Sequence, residues 1–232
     1  MLVLGVDTST LAEGIGLVDE DAVIGEVNCL LPSTHSERLV SGIQTLLDRA
    51  GISPARLDGL AVACGPGSFT GLRIGMATVQ GIALACDLPA VGFSTLEVMA
   101  HWCGSSWEGW VCPWMDAGRG EVYTGLFRVG PAGRVAAAEP EIASPPGVAL
   151  ERVPRGENCL FLGDGAARYR SLLAGRSGRG SGDRILPFHP FLGATAARLG
   201  SKDLPGRDRG EGLRPNYLRR PDAERNRAGH GS

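Results

Sequence analysis

The sequence predicts an α/β protein of two related lobes, and three observations carry that expectation. The amino-terminal part runs strand, strand, strand and then alternates helix with strand. A buried apolar run, Leu60 to Cys64, feeds a glycine-rich turn and then a long apolar helix. A strand that ends on aspartate, followed by a glycine turn, occurs in each half of the chain.

Taken in order, Met1 to Asp7 reads as a buried strand ending on a carboxylate, and Thr8-Ser9-Thr10 as a polar turn. Gly14 to Val18 is the second strand, Asp19-Glu20-Asp21 a turn, and Ala22 to Cys29 the third strand. Thr34-His35-Ser36-Glu37 forms a capping box, after which Leu39, Val40, Ile43, Leu46, Leu47 and Ala50 mark one face of a helix. Gly51 ends that helix, and Ser53-Pro54 opens a short helical turn.

Gly65 and Gly67 permit the positive φ of a sharp strand-to-helix turn, and Pro66 stiffens it. Ser68 or Thr70 then caps a helix over Gly71 to Cys86. Pro89 to Gly92 is a short strand, and Ser94 to Glu97 a second capping box that opens a helix toward Cys103. The order βββαβαβα is that of a ribonuclease-H-like lobe, assigned to residues 1–104.

Trp102, Trp107, Trp110 and Trp114 crowd the next segment and read as a hydrophobic junction between lobes. The pattern then restarts. Trp110 to Met115 ends at Asp116, Ala117-Gly118-Arg119-Gly120 turns the chain, and Glu121 to Val129 and Val135 to Ile142 follow as strands. Leu160-Phe161-Leu162 leads into Gly163-Asp164-Gly165, which stands where Gly65-Pro66-Gly67 stands in the first half. From strand-end aspartate to glycine turn is roughly fifty residues in both halves, as a duplication gives. A reduced second lobe is therefore expected over 105–220, with a flexible loop at 174–184, a short helix from Phe191 to Leu199 and a disordered tail over 221–232.

Composition bounds the function. The 232 residues carry a net charge of -2 with a pI near 6.1, which argues against an autonomous nucleic-acid binder. The six cysteines at 29, 64, 86, 103, 112 and 159 form no Cys-x-x-Cys pair, so free thiols in a reducing compartment are expected. The start of the chain lacks a basic n-region, and no apolar run approaches the roughly 20 residues of a membrane span. A cytoplasmic, soluble protein with no membrane partner is expected.

Two such lobes describe the actin, Hsp70 and sugar-kinase architecture, in whose ATPases an aspartate at the end of the first strand helps hold metal and phosphate. Asp7 and Asp116 sit at the corresponding strand ends. Asp7-Thr8-Ser9-Thr10 replaces the usual Asp-x-Gly-Thr, however, and a turn-capping role for Asp7 competes with phosphate coordination.

Val6 to Thr10, Thr34 to Leu39, the string Gly65-Pro66-Gly67-Ser68-Phe69-Thr70-Gly71-Leu72-Arg73-Ile74-Gly75, and Met115 to Tyr123 together resemble the TsaB (YeaZ) family. Members of that family serve the biosynthesis of threonylcarbamoyladenosine in bacterial tRNA. The match runs from Met1 to about Tyr123, with weaker agreement at Gly163-Asp164-Gly165 and Pro215 to Arg219; Ala117-Gly118-Arg119 departs from the usual pattern. The resemblance implies a non-catalytic scaffold partner of the related transferase TsaD, working with the ATPase TsaE. Together these place a threonylcarbamoyl group, delivered as its adenylate, on the adenosine beside the anticodon. It implies that ATP and Mg are used by the complex and not bound by this chain alone, and that Asp7, Thr8, Ser9 and Asp116 are vestiges of a nucleotide site.

The residues agree with a role without catalysis. The catalytic paralogue holds its metal with a His-x-x-x-His pair on one helix face, whereas here Leu39 stands four residues after His35. His101, His189 and His230 fit no ligand spacing, and Ser68 lies in no Gly-x-Ser-x-Gly motif. No metal ligand and no catalytic residue is assigned. A small ATPase or kinase using Asp7 and Asp116 stays open as the alternative, as does a degenerate glycopeptidase-like protein.

What the helices offer is a docking surface. Gly71, Gly75, Thr78, Ile82 and Ala85 recur at three- and four-residue spacing, and Leu72, Met76, Val79 and Ala83 supply a second apolar face. The expected partner interface is His35, Arg38, Leu39, Ile43, Gly71, Leu72, Arg73, Gly75, Met76, Thr78 and Val79, serving a heterodimer with the paralogue and a homodimer without it. Gly75→Arg is then expected to abolish association and leave the monomer folded. Contact with tRNA is expected only through the complex, with Arg119, Arg219 and Arg220 as contributors.

Overall fold

The three amino-terminal strands differ in burial, and that difference orders the first sheet. In a computed structural model that describes residues 1–30, 38–176, 182–206 and 213–219, β1 (Leu2–Asp7) is buried apart from its first residue. β2 (Ala12–Asp19) is buried except at its last residue, and β3 (Ala22–Leu30) is largely exposed as an edge strand should be. β4 (Gly59–Ala63) is buried at every position, because it runs parallel between β1 and β5 (Ala90–Phe93) with both faces covered. The order is β3-β2-β1-β4-β5.

α1 (Leu39–Ala50) and α2 (Phe69–Cys86) cover one face of this sheet, where Leu39, Ile43 and Leu47 of α1 and Met76 and Val79 of α2 meet Leu4, Val6, Leu60 and Val62. Gly51 ends α1 in the left-handed region at φ 67. The Ser68 hydroxyl caps α2 by accepting from the Gly71 N–H at 3.2 Å. The first capping box, Thr34 to Glu37, lies outside the described residues. α2 starts two residues before the expected Gly71 and is, by length and composition, long and apolar enough to cross a membrane. Here it joins two neighbouring parallel strands.

The second sheet repeats the first. β6 (Gly109–Gly118), β7 (Glu121–Val129) and β8 (Val135–Ser144) form the antiparallel meander. β9 (Cys159–Leu162) and β10 (Arg184–Leu186) add parallel strands, in the order β10-β9-β6-β7-β8. Read from β8, each strand matches its counterpart in the first sheet. The duplication expected from the two aspartates is therefore present in the topology. The reduction lies in the helices: α4 (Pro146–Glu151) stands where α1 stands, and α5 (Asp164–Arg168) with α6 (Arg170–Arg176) where α2 stands. None of these three short helices was foreseen, nor was β10.

Two helices cross between the lobes. α3 (Thr95–Trp102), capped by Ser94, packs on β6, β7 and β8 of the second sheet. Its counterpart α7 (Gly193–Asp203) returns to β1, β2 and β4 of the first. The boundary expected at 104/105 separates the sheets but not these helices. α7 lies so close that a Cβ on Gly193 would stand 2.7 Å from the Gly16 nitrogen, so the strand surface beneath it is glycine. Between the sheets, α3 and α7 share one core with Val3, Ala61, Val111, Met115 and Phe127.

The four tryptophans do not form one junction. Trp114 is fully buried on the outer face of the second sheet, edge-on to Phe161 at 6.0 Å, whereas Trp107 packs against the core shared by the lobes. Trp102 is 36% exposed against Phe188, and the Trp110 indole donates to Glu157 at 2.8 Å. The helix expected at Phe191 to Leu199 begins and ends later. The loop expected over 174–184 contains the end of α6 and the start of β10, with 177–181 outside the described residues, as is the tail over 221–232.

Candidate functional site

Both strand-end aspartates lie at the junction of the lobes, and each caps its own turn through one carboxylate oxygen. The Asp7 carboxylate, fully buried, accepts from the Ser9 N–H at 2.9 Å. The Asp116 carboxylate accepts from the Gly118 N–H at 3.0 Å and, through its other oxygen, from Arg168 at 2.5 Å. The same two-residue reach in both lobes is an Asx turn. Thr8 is fully buried and donates its hydroxyl to the Gly71 carbonyl at 2.7 Å; the Ser9 carbonyl accepts from the Ser68 N–H at 2.7 Å. These two bonds hold the start of α2 against the aspartate turn. In the second lobe the Asp164 carboxylate does the equivalent, accepting from the Asp116 N–H at 3.2 Å and the Gly165 N–H at 3.0 Å.

Between the turns lies a cleft of about 430 Å³ whose walls include Ser9, Thr10, Ser68, Asp116, Tyr123 and Asp164. Its wall contributes two carboxylates and neither lysine nor arginine. The backbone N–H groups of Ser9 and Gly118, which a phosphate would need, already donate to aspartate. Among the described residues no group of three or more His, Cys, Asp and Glu comes together as a metal set would require.

The helical face differs from the expected one residue by residue. Leu39, Ile43, Gly71, Leu72, Gly75, Met76 and Val79, all expected at the partner interface, are buried within the chain itself. Their positions follow from physics: the small residues of α2 sit where Thr8 presses against the helix, and the large ones enter the core beneath the sheet face. Arg38 and Arg73 are exposed and Thr78 is half-buried, while His35 lies outside the described residues. The outward positions of α2 are instead Thr70, Arg73, Ala77, Gln80, Gly81 and Leu84, the last 87% exposed, while Ile74 is half-buried against the core. Beside the outward row, α1 turns out Val40, which is 61% exposed.

At the head of this row Phe69 is 37% exposed, with the Arg73 guanidinium over its ring at 3.8 Å and the Tyr217 ring 5.3 Å away. The sequence reading passed over Phe69, Ile74, Ala77, Gly81 and Leu84. Ala77, Gly81 and Leu84 recur at three- and four-residue spacing beside the polar Arg73 and Gln80, but a helix apolar almost all round offers two other rows that compete with this one.

A chain of two duplicated ribonuclease-H-like sheets, with helices crossing at an interlobe cleft, belongs to the actin-like class of α/β proteins. The solved activator of 2-hydroxyisocaproyl-CoA dehydratase from Clostridium difficile, 10% identical, shares this fold with a TM-score of 0.51 over 88% of this chain and 95% of its own. The family model for TsaD, tRNA N6-adenosine threonylcarbamoyltransferase, matches residues 30–175. The tRNA threonylcarbamoyladenosine biosynthesis protein TsaB of Bacillus subtilis is 32% identical over 97% of this chain and 96% of that protein. YeaZ from Pseudomonas aeruginosa superposes with a TM-score of 0.75 at 27% identity, over 94% of this chain and 99% of that one. The chain belongs to the TsaB (YeaZ) family and takes part in the biosynthesis of threonylcarbamoyladenosine in tRNA.

Proposed function

We propose that this chain is a non-catalytic subunit of the tRNA threonylcarbamoyl transferase, and that it docks a TsaD-like catalytic paralogue through the outer face of α1 and α2. The observation that carries the reading is the exposed row Ala77, Gly81 and Leu84, small or apolar and turned outward from a helix already buried on its other side. A row this low lets a second helix approach closely, and its burial would remove the apolar surface from water. The same face would pair two copies of the chain when the paralogue is absent.

The chemistry falls to the partner. With Asp7 and Asp116 both engaged as turn caps, this chain offers neither a phosphate cradle nor an activated nucleophile. ATP and Mg are then used by the complex, with a TsaE-like ATPase, and tRNA is met through the assembled subunits in the cytoplasm.

Reconstitution of tRNA threonylcarbamoylation with and without this chain tests the reading. Multiple turnover is expected only with it. Ala77→Arg, at an exposed position of α2, should abolish co-elution with the paralogue and leave the circular-dichroism spectrum unchanged. Modification at full rate without the chain, or turnover of Mg-ATP by the chain alone, would overturn it and favour the ATPase alternative.

A further inference from the structure

The stretch 213–219 is neither helix nor strand, yet it is tied to both lobes within four residues. The Asn216 N–H donates to the Cys64 carbonyl at 2.8 Å, and its side-chain amide donates to the Gly65 carbonyl at 3.4 Å and to Glu141 of β8 at 2.9 Å. Tyr217 lies on Phe69 at the first turn of α2. Arg219 then reaches the other lobe, donating to the Ala117 carbonyl at 3.0 Å and pairing with Glu121, with its guanidinium 5.9 Å from the Tyr123 ring centre. Fit is tight at the first anchor: a Cβ on Gly65 would stand 2.6 Å from the Asn216 carbonyl oxygen.

The anchors are the two ends of the cleft. The turn at Cys64 and Gly65 runs directly into Gly67 and Ser68, which form one wall; Ala117 and Tyr123 belong to the other. Two sheets joined by crossing helices have shear and hinge motions open to them, and a segment fastened to both walls opposes those motions. The Arg219–Glu121 pair is suited to this because its side chains are only 17% and 35% exposed, so water screens it less than a surface pair.

We propose that residues 213–219 are a clasp that holds the two cleft walls together and, through Tyr217 on Phe69, keeps the first turn of α2 in the position a partner meets. The second half of this statement rests on the outer face of α2 being the docking face; the first half does not.

Hydrogen exchange on the full chain tests the clasp without any partner. Arg219→Glu should raise amide exchange about ten-fold, together, in the segments 64–70 and 117–121, as expected when a local opening is made easier. Combining Arg219→Glu with Glu121→Arg should restore protection to both walls. Faster exchange confined to 213–219, with both walls unchanged, would overturn the clasp, and failure of the double variant to restore protection would overturn the ion pair as its fastener. Tyr217→Ala gives a second reading free of charge reversal and should loosen 64–70 in a chain whose far-ultraviolet circular dichroism is unchanged; unaltered exchange there would count against the clasp.

The partner half is read separately, by co-elution with the catalytic paralogue. Arg219→Glu should weaken association, and Ala77→Arg should abolish it with both walls still protected. Loosened walls with undiminished association would overturn the coupling and leave the docking face standing. Undiminished association by Ala77→Arg would instead remove the docking face and leave the clasp standing.

Discussion

Gly75 of α2 and Thr8 of the first aspartate turn occupy adjoining space with no room for a β-carbon between them: a Cβ on Gly75 would be driven into the Thr8 hydroxyl. That hydroxyl is bonded to the Gly71 carbonyl at 2.7 Å, so it has little freedom to move aside. Gly75→Ala should therefore destabilise the fold by about 1–3 kcal/mol through overpacking, less the roughly 1 kcal/mol that alanine gains over glycine in a helix. Gly75→Arg should disrupt the lobe itself, contrary to the expectation that it spares the monomer. Urea unfolding of Gly75→Ala, Thr8→Ala and the double variant checks the contact. The double variant should recover much of the loss, and strict additivity would show that the two residues do not interact.

That contact also marks what the sequence could and could not disclose. The succession of elements in the first lobe and the two Asp-ended strands were legible because buried parallel strands are continuous apolar runs and turns announce themselves with glycine. The capping of α3 by Ser94 was legible for the same local reason, and that of α2 was narrowed to Ser68 or Thr70, of which the structure uses Ser68. The faces of α2 were harder to read, since apolar or small residues lie almost all round it with only Arg73 and Gln80 to mark the exposed side, and the position of Thr8 decides that Gly71 and Gly75 turn inward. The exchange of α3 and α7 between lobes was equally hidden. Gly5, Gly14 and Gly16 clear a path for Gly193, Ala194 and Ala197, a match between residues far apart in the chain that appears only once β1 and β2 are in register.

Leu84 stands at the far end of the outward row, 87% exposed and close to the last turn of α2. Its side chain adds little to the monomer, so Leu84→Gln should change stability by no more than about 0.5 kcal/mol. Sedimentation velocity of the isolated chain should nevertheless show weaker self-association, since the substitution places an amide in the proposed contact. An unchanged dimer population would move the self-association surface elsewhere.

The thiols divide by burial. Cys64, Cys103, Cys112 and Cys159 are buried, and Cys29 and Cys86 are half-buried. Burial pushes the thiols of Cys64 and Cys103 up to about 12, so neither supplies much thiolate at neutral pH. Native titration with a disulfide reagent at pH 8 should label Cys29 and Cys86 first, and all six only in denaturant. Early labelling of Cys64 would mean that the glycine turn opens on its own.

Glu97 supplies the pH prediction. It lies in the first turn of α3, and its carboxyl is raised above the ordinary carboxylate value by burial first, then by the neighbouring charges of Glu141 and Asp203; a bond from the Ser94 N–H works in the other direction. Glu141 is itself raised by burial, against the donors Ser94 and Asn216. The sign follows from linkage. In the unfolded chain Glu97 ionises near its reference value of 4.5, but in the folded chain it ionises only at higher pH. Stability is therefore lost as pH rises from 4.5 through the folded value, stays lost at neutral pH, and is recovered on acidification. His101 on the same helix opposes this, because burial and Lys202 lower its value from 6.5, so that its contribution is lost as pH falls below that point. Glu97→Gln separates the two. Glutamine keeps the capping-box bond to the Ser94 N–H and removes the charge. The variant should unfold at higher urea than the parent at pH 7, with the gap closing toward pH 4 as Glu97 becomes protonated in both states. A gap of the same size at both pH values would assign the gain to packing instead of charge.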